Sequence, residues 1–187
     1  SAQDTVDQIW RNAGGASDDH PYLKRKDIGA NGARITGDGR LITPLFAPDG
    51  HLASLQYINA DGDKKYHSGA AVKACQYLIG SAEETDTLYI AEGFATAATI
   101  HEVTGHPCAT AYSASNLSDV ACYWRAELGY HVSLIVVADN DEGGQGKFHA
   151  EQAAAKSGAR VVIPPVPGDA NDYRLAGHDL QALLNPP

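Results

Sequence analysis

The run Leu134-Ile135-Val136-Val137-Ala138-Asp139-Asn140-Asp141 sets the architecture of this chain. A continuous apolar run that ends in a turn is typical of a strand buried on both faces of a parallel sheet. Asp139 and Asp141 would then lie at the carboxyl end of that strand, where open α/β sheets bind their ligands. Ionised carboxylates beside an apolar strand are costly unless something pairs with them. Mg²⁺ suits them because it takes oxygen ligands, whereas a plain Asp-Asn-Asp turn is the alternative.

Length and composition restrict the class of protein. The chain has 187 residues, is 43% hydrophobic and carries a formal net charge of −9, which suits one compact domain or a domain with a small appendage. No apolar run is long enough to span a membrane and no signal-peptide pattern begins the chain, so we expect no membrane partner and a cytoplasmic location. The net charge argues against adhesion to nucleic acid through the whole surface, but it permits a local basic groove.

The first part of the chain has the pattern of a small α+β subdomain. A short amphipathic helix with Val6, Ile9 and Trp10 as its apolar residues precedes a break at Gly14-Gly15. Three β-like segments follow over 40–46, 51–58 and 64–67. Pro-Asp-Gly and Asp-Gly turns separate them, which predicts an antiparallel meander.

The second part alternates between strand and helix patterns. Strands are predicted over 88–91, 107–112, 134–138 and 160–163, and helices over 94–103, 118–128 and 147–157. This alternation predicts a parallel α/β sheet flanked by helices.

Carboxylates follow three of these strands. Glu92 ends the first, Asp139 and Asp141 end a later one, and Asp169 and Asp172 come after the last. Because parallel strands end at one edge of the sheet, these side chains are expected to converge there. Such a cluster predicts a Mg²⁺ or Mn²⁺ site, and phosphoryl transfer is the chemistry that this kind of site supports best.

The motifs Tyr89-Ile-Ala-Glu-Gly-Phe-Ala-Thr-Ala97, Val137-Ala-Asp-Asn-Asp141 and Gly168-Asp-Ala-Asn-Asp172 resemble the Toprim domain of topoisomerases and primases. The resemblance is greater to primases carried by phages and conjugative plasmids. It implies an α/β fold with a Toprim (Rossmann-like) parallel sheet flanked by helices, preceded by a small α+β subdomain with an antiparallel meander. We therefore predict a basic domain over residues 1–84 on the template and nucleotide side, and a Toprim catalytic domain over residues 85–187.

The resemblance also implies roles for the acidic residues. Glu92 would be a general acid/base or a carboxylate near the metal, and Asp139 and Asp141 would bind the catalytic cation. Asp169 and Asp172 would support a second cation. Some primases have a further carboxylate four residues after the glutamate. Thr96 occupies that position here, so the number of metals stays open.

Basic residues are concentrated ahead of the acidic motifs, which suits a cleft in which cations hold template or triphosphate opposite the metal. A solvated turn, and protection of an edge strand by its lysines, are the alternatives. The predicted nucleotide and DNA ligands are Lys24, Arg25, Lys26, Arg34, Lys64, Lys65, Lys73 and Asn116. Asn116 has the alternative role of capping its own loop.

The expected function is that of a DNA primase core. It would make short RNA primers from nucleoside triphosphates on single-stranded DNA, with Mg²⁺ or Mn²⁺, during phage or plasmid replication or conjugation. The chain has neither zinc-ribbon cysteines nor a helicase motor, so we expect it to belong to a larger protein with zinc-binding, helicase or relaxase domains. A Toprim nuclease and a non-catalytic module that binds DNA or a replisome partner are the alternatives.

Overall fold

The computed structural model describes residues 2–69 and 72–185. The chain forms two compact units, Ser1–Tyr77 and Leu78–Pro187. The structural division falls before residue 84 because Leu78 and Ile79 belong to a strand of the second sheet. The predicted functional boundary between residues 84 and 85 stays a prediction. Within the described ranges, no helix is long and apolar enough to cross a membrane.

The first unit is a five-stranded sheet with two helices. Its strands follow one another in the order β1-β2-β3-β4-β5, and every neighbouring pair is antiparallel. The predicted meander is therefore confirmed, whereas Gly14-Gly15 forms a short strand rather than a break. The elements are α1 (Ala2–Asn12), β1 (Gly14–Gly15), α2 (Pro21–Lys26), β2 (Arg34–Ile35), β3 (Leu41–Phe46), β4 (Leu52–Ile58) and β5 (Lys64–Tyr66).

An amphipathic α1 covers one face of this sheet. Val6 is fully buried against Ile42 and Leu55, and Ile9 and Trp10 pack at the edge of the same cluster. The apolar residues predicted for this helix therefore form its packed face. Each aliphatic side chain buried in this way contributes about 1.5–3 kcal/mol to folding.

The second unit contains the parallel sheet. Its strands have the order β10-β9-β7-β8-β6, and the pairs β10/β9, β9/β7 and β7/β8 are parallel. The predicted fold class is confirmed. The elements are β6 (Tyr77–Ile79), β7 (Thr87–Ala91), α3 (Phe94–Thr104), β8 (Cys108–Thr110), α4 (Leu117–Leu128), β9 (Ser133–Val137), α5 (Gln145–Ser157), β10 (Arg160–Val162), α6 (Ala170–Leu175) and α7 (Leu180–Leu184).

Strand β9 is buried on both faces, as its continuous apolar run predicts. Leu134 and Val136 pack with Val120 of α4 and Ala150 of α5. The alternate pair, Ile135 and Val137, is also buried. Because side chains alternate along a strand, burial of both sets requires packing on both sides of the sheet.

Candidate metal centre

Glu92 and Asp139 emerge at the same edge of the parallel sheet. The register pairs Ala91 at the end of β7 with Val137 at the end of β9. Glu92 comes directly after Ala91, and Asp139 comes two residues after Val137. Both residues therefore lie just beyond the carboxyl ends of neighbouring parallel strands, at the same edge of the sheet. Both carboxylate residues are half-buried.

The backbone of Glu92 is held by the loop after β8. The N–H of Tyr112 donates to the Glu92 carbonyl at 2.7 Å. Tyr112 is buried and has a φ of +68°, a left-handed conformation that is uncommon for a bulky residue. Residues held in such conformations cluster at functional sites, where the surrounding structure enforces them.

Asp139 lies against the first turn of α5. A Cβ atom at Gly146 would collide with the Asp139 carbonyl, so glycine is needed for this close approach. The Asp139 Oδ1 atom is buried and has no hydrogen-bond partner within residues 2–69 and 72–185, although other interactions hold the residue.

Asp141 caps α5. Its Oδ1 accepts the N–H of Gln145 at 3.0 Å and its Oδ2 accepts the N–H of Gly146 at 2.7 Å. Backbone hydrogen bonds from Gly146 above all, and also from Gln145, Gly144 and Gly143, lower the pKa of the Asp141 carboxyl below its ordinary value. The carboxylate therefore stays ionised and satisfies helix N–H groups that would otherwise lack partners.

Gly168, which directly precedes the third acidic segment, is hydrogen-bonded to the loop after β9. The N–H of Asn140 donates to the Gly168 carbonyl at 2.9 Å, and the Gly168 N–H donates back to Asn140 at 3.0 Å. Asp169 and Asp172 then form a capping box at the start of α6. The Asp172 N–H donates to Asp169 Oδ1 at 2.8 Å, and the Asp169 N–H donates to Asp172 Oδ2 at 3.1 Å.

The donors at this edge have the chemistry that a hard cation requires. Glu92, Asp139 and Asp141 offer carboxylate oxygens, the ligand type of Mg²⁺ and Mn²⁺. Throughout the described part of the chain, no group of three or more His, Cys, Asp or Glu residues is placed to hold a metal ion. Mg²⁺ typically uses one or two carboxylates and completes its shell with water and substrate phosphates. A carboxylate has about four acceptor sites, and two N–H groups lie within hydrogen-bond distance of Asp141, at 3.0 and 2.7 Å, so its capping role is compatible with a cation.

The predicted nucleic-acid ligands of the first unit make different contacts. Arg34 donates to the Trp10 carbonyl and lies over its ring, and Lys24 pairs with Asp19 at 2.9 Å. Arg25 donates to the Ala60 carbonyl at 3.0 Å. Lys64 and Lys65 are exposed on β5, Lys26 is half-buried at the end of α2, and Lys73 is exposed in a turn.

Asn116, in the second unit, is buried and donates to the Ala111 carbonyl at 3.1 Å. This hydrogen bond is the loop-capping role that stood as the alternative for it. A nucleotide contact for Asn116 stays a prediction.

Sequence reasoning missed Tyr112, Gly146 and Asn171. Asn171 is fully buried and donates to Thr99 Oγ1 at 2.8 Å, which ties α6 to α3. A glycine in the first turn of a helix directly after two carboxylates was a usable signal for Gly146. No pattern in the sequence signals that a tyrosine adopts a positive φ.

Residues 87–179 match the Toprim domain family. Two DNA primases TraC of Escherichia coli are 27% and 29% identical to this chain, each in an alignment of 165 residues that covers 82% of this chain. The aligned part is only 16% and 11% of those two relatives.

Two solved primase structures share this fold. The primase fragment of the bacteriophage T7 primase-helicase protein superimposes with a TM-score of 0.69 at 20% identity, covering 93% of this chain and 76% of the fragment. A DnaG primase catalytic domain bound to single-stranded DNA gives a TM-score of 0.63 at 13% identity, covering 97% of this chain and 76% of that domain. At such low identity, these likenesses establish the fold.

Proposed function

We propose that this chain, in which residues 87–179 match the Toprim domain family, is the catalytic core of a DNA primase. The observation that carries the proposal is the parallel register of β7 and β9, which brings Glu92 and Asp139 to one sheet edge. The Asn140–Gly168 bridge adds the third acidic segment to the β9 loop. The relatives named DNA primase support this reading.

In this proposal Asp139 and Asp141 would hold Mg²⁺ or Mn²⁺ with the Glu92 carboxylate near the cation, and Asp169 and Asp172 would support a second cation. When bound, such a cation neutralises charge on the transferring phosphate. The helix cap of Asp141 fixes the loop that carries Asp139. A preorganised carboxylate loop of this kind needs little rearrangement when the charged substrate arrives.

The reaction joins two ribonucleotides on a DNA template. The 3′-hydroxyl of one nucleotide attacks the α-phosphate of the next, a new P–O bond forms, and the bond to pyrophosphate breaks. We assign Glu92 as the group that receives the proton of the attacking hydroxyl, because it is half-buried at the end of β7 and its backbone is fixed by Tyr112. Fixed orientation of a general base is worth several powers of ten in rate.

Template binding is assigned to the basic residues of the first unit, with single-stranded DNA and nucleoside triphosphates as ligands. A primase neighbour solved with single-stranded DNA supports this choice of template. We further propose that the chain acts in the cytoplasm, in phage or plasmid replication or conjugation. Because the chain spans only 16% and 11% of its two TraC relatives, we place it in a longer protein with zinc-binding, helicase or relaxase domains.

Primer synthesis tests the proposal directly. Labelled nucleoside triphosphates, single-stranded DNA and Mg²⁺ or Mn²⁺ are incubated with the wild type, Asp139→Asn and Asp141→Asn. Asparagine keeps one acceptor oxygen while removing the charge. Asp179→Asn is the matched control, because Asp179 caps α7 through the Ala182 N–H at 2.9 Å and lies outside the proposed site.

Oligomers made by the wild type and the control, and absent in both site variants, are expected. The alternative result is that neither the wild type nor any variant makes primers, while the wild type nicks plasmid DNA with Mn²⁺ and the two site variants do not. That result would assign the site to a nuclease. Absence of divalent-cation binding in calorimetry, with DNA binding retained, would indicate a non-catalytic module.

A further inference from the structure

The loop after β8 runs beside Glu92 at the acidic edge of the parallel sheet. Strand β8 pairs in parallel with β7, with Thr110 opposite Ala91. The pairing continues beyond the ends of the strands, because the Tyr112 N–H donates to the Glu92 carbonyl at 2.7 Å. Neighbouring strands lie about 4.8 Å apart, so the chain reaches Ser113, the residue after Tyr112, about one strand spacing from Glu92.

The backbone of this loop is fixed at both ends. Tyr112 is buried and adopts a φ of +68°. At the other end, the Asn116 side chain donates to the Ala111 carbonyl at 3.1 Å, and the Asn116 N–H donates to the Ser113 carbonyl at 3.1 Å. The side chains between these anchors therefore stand on a backbone that needs little rearrangement to meet a ligand.

Ser113 and Ser115, which we call the Ser113–Ser115 pair, carry the serine hydroxyls of this loop. Ser113 is half-buried, Ser115 is exposed, and their Oγ atoms lie 3.2 Å apart. Ser113 precedes the 3₁₀ turn Ala114–Asn116, and in the part of the chain that the structure describes its hydroxyl makes no cap hydrogen bond to that turn. Serine usually provides such a cap. The bond within the pair needs only one of the two O–H groups, so the other O–H and further lone pairs can meet a ligand.

We propose that the Ser113–Ser115 pair binds the 2′-hydroxyl of the nucleotide whose 3′-hydroxyl attacks, and so selects a growing strand that ends in a ribonucleotide. The inference rests on the proposed primase function, in which Glu92 receives the proton of that 3′-hydroxyl. The 2′- and 3′-hydroxyls are on adjacent carbons of one ribose. A ribose whose 3′-hydroxyl reaches Glu92 therefore brings its 2′-hydroxyl within reach of the neighbouring loop.

The order of the strands puts the pair on the side of Glu92 that this role requires. Strand β7 lies between β9 and β8, so along this edge Glu92 lies between the Asp139 loop and the pair. The attacking oxygen and the leaving pyrophosphate are roughly in line, on opposite sides of the α-phosphate. With the α-phosphate on the β9 side, where Asp139 and Asp141 lie, the attacking ribose extends across β7 towards β8.

The 2′-hydroxyl has the chemistry that the pair can recognise. It is both a donor and an acceptor, and it is the group by which a protein distinguishes RNA from DNA. A serine hydroxyl also donates and accepts, whereas a deoxyribose leaves the pair without this partner. Because Ser115 is exposed, water replaces much of the lost bond. We therefore expect a preference of about threefold to tenfold, the effect of one ordinary hydrogen bond.

The test compares two primers on one template. They are identical except that the last nucleotide carries either ribose or 2′-deoxyribose, each with a free 3′-hydroxyl. Addition of one nucleoside triphosphate with Mn²⁺ is timed for the wild type, Ser113→Ala, Ser115→Ala and Ser113→Thr. Binding of the same two primer ends is measured by anisotropy in EDTA, a readout that requires no cation. Ser133→Ala is the matched control, because Ser133 is an exposed serine at the start of β9, at the opposite edge of the sheet.

The measured quantity is the ratio of the ribose end to the deoxyribose end, in rate and in affinity, so a partly unfolded variant lowers both values and not their ratio. We expect a ratio of about three to ten in the wild type and the control, and a ratio near one in both alanine variants. Ser113→Thr should keep the preference, because Ser113 has an extended backbone with a φ of −153° that threonine readily adopts. A wild-type ratio near one, or the wild-type ratio in both alanine variants, would overturn the proposal.

Three further results separate this inference from the proposed function. Extension that depends on Asp139, with a ratio that does not depend on the pair, would overturn the role of the pair and leave the primase proposal standing. No extension by any protein, with a serine-dependent preference for the ribose end in EDTA, would do the reverse. If the alanine variants instead change the preference for ribonucleoside over deoxyribonucleoside triphosphates, the pair contacts the sugar of the incoming nucleotide, and the assignment to the attacking nucleotide is overturned.

Discussion

Lys64 and Lys65 are neighbours on β5, and their side chains lie on opposite faces of the meander. Lys64 Nζ lies 6.0 Å from the centroid of the Tyr22 ring, and the guanidinium carbon of Arg25 lies 5.7 Å from the same ring. Lys65 lines a cavity of about 150 Å³ with Arg40 and Tyr57. Alternation along a strand separates two cations that the sequence presents as one pair.

Lys64→Ala and Lys65→Ala are therefore expected to act independently on DNA binding. If each lysine contacts a phosphate, each replacement lowers the slope of log affinity against log salt by about 0.7 for a single strand. The double variant should show the sum, because alternation along β5 points the two side chains to opposite faces of the sheet. Salt titrations of oligo-dT binding measure both values, and a double variant no weaker than one of the singles would contradict two separate contacts.

Asp141→Asn is expected to lower stability at pH 7 and to have progressively less effect in acid. The folded protein holds the pKa of Asp141 below its ordinary value through backbone N–H groups. The stabilisation is thus fully present above the unfolded pKa and is lost as the pH falls through the lowered folded pKa. Urea unfolding at pH 7 and near pH 3 measures the change. If the difference in unfolding free energy between the wild type and Asp141→Asn were larger at pH 3 than at pH 7, this linkage would be contradicted.

Gly146→Ala is expected to destabilise the protein, although alanine normally favours a helix by about 1 kcal/mol over glycine. The added Cβ would collide with the Asp139 carbonyl, so either α5 or the Asp139 loop has to move. Both unfolding free energy and divalent-cation affinity should fall.

Gly143→Ala is the control for this change, since a Cβ there makes an ordinary contact of 3.4 Å with Asp141 Oδ1. Equal stability of the two alanine variants would mean that the close approach at Gly146 is not required.

Replacement of Tyr112 by glycine should cost less stability than replacement by alanine. Both replacements remove the buried ring, but only glycine adopts a φ of +68° without strain. Tyr112→Gly is therefore expected to be about 1 kcal/mol more stable than Tyr112→Ala, a difference typical of relieved backbone strain. Chemical denaturation measures it. The same pair at Tyr173, inside α6, should show the opposite order.

Arg125→Ala is expected to destabilise the second unit by about 2 kcal/mol, because carbonyls of the buried residues Ser157 and Val132 lose their donor. Arg125 donates to the carbonyls of Ser157 at 2.7 Å, Gly129 at 2.6 Å, Val132 at 2.9 Å and Gly158 at 3.4 Å. Arg125→Lys should recover only part of the loss, since an ammonium cannot reproduce the planar fork. Thermal unfolding of these variants, with Arg11→Ala at an exposed arginine of the first unit as the control, measures the loss of stability. Wild-type stability in Arg125→Lys would contradict the prediction.

The sequence by itself determined the order of the elements and the edge at which the acidic residues emerge. Apolar runs such as Leu134–Val137 and the glycines that end helices are local signals. Burial and parallel pairing follow from them, so the Toprim-type sheet and its meander were predictable.

Only the tertiary structure decided which side chains share a surface and which carboxylates are engaged. Asp141, Asp169 and Asp172 accept backbone N–H groups at helix starts. Lys65 meets Arg40 and Tyr57, which are remote in sequence, and Tyr112 adopts a positive φ beside Glu92. The last two relationships depend on contacts between distant segments and on backbone geometry imposed by packing. A residue type or its spacing carries no record of either.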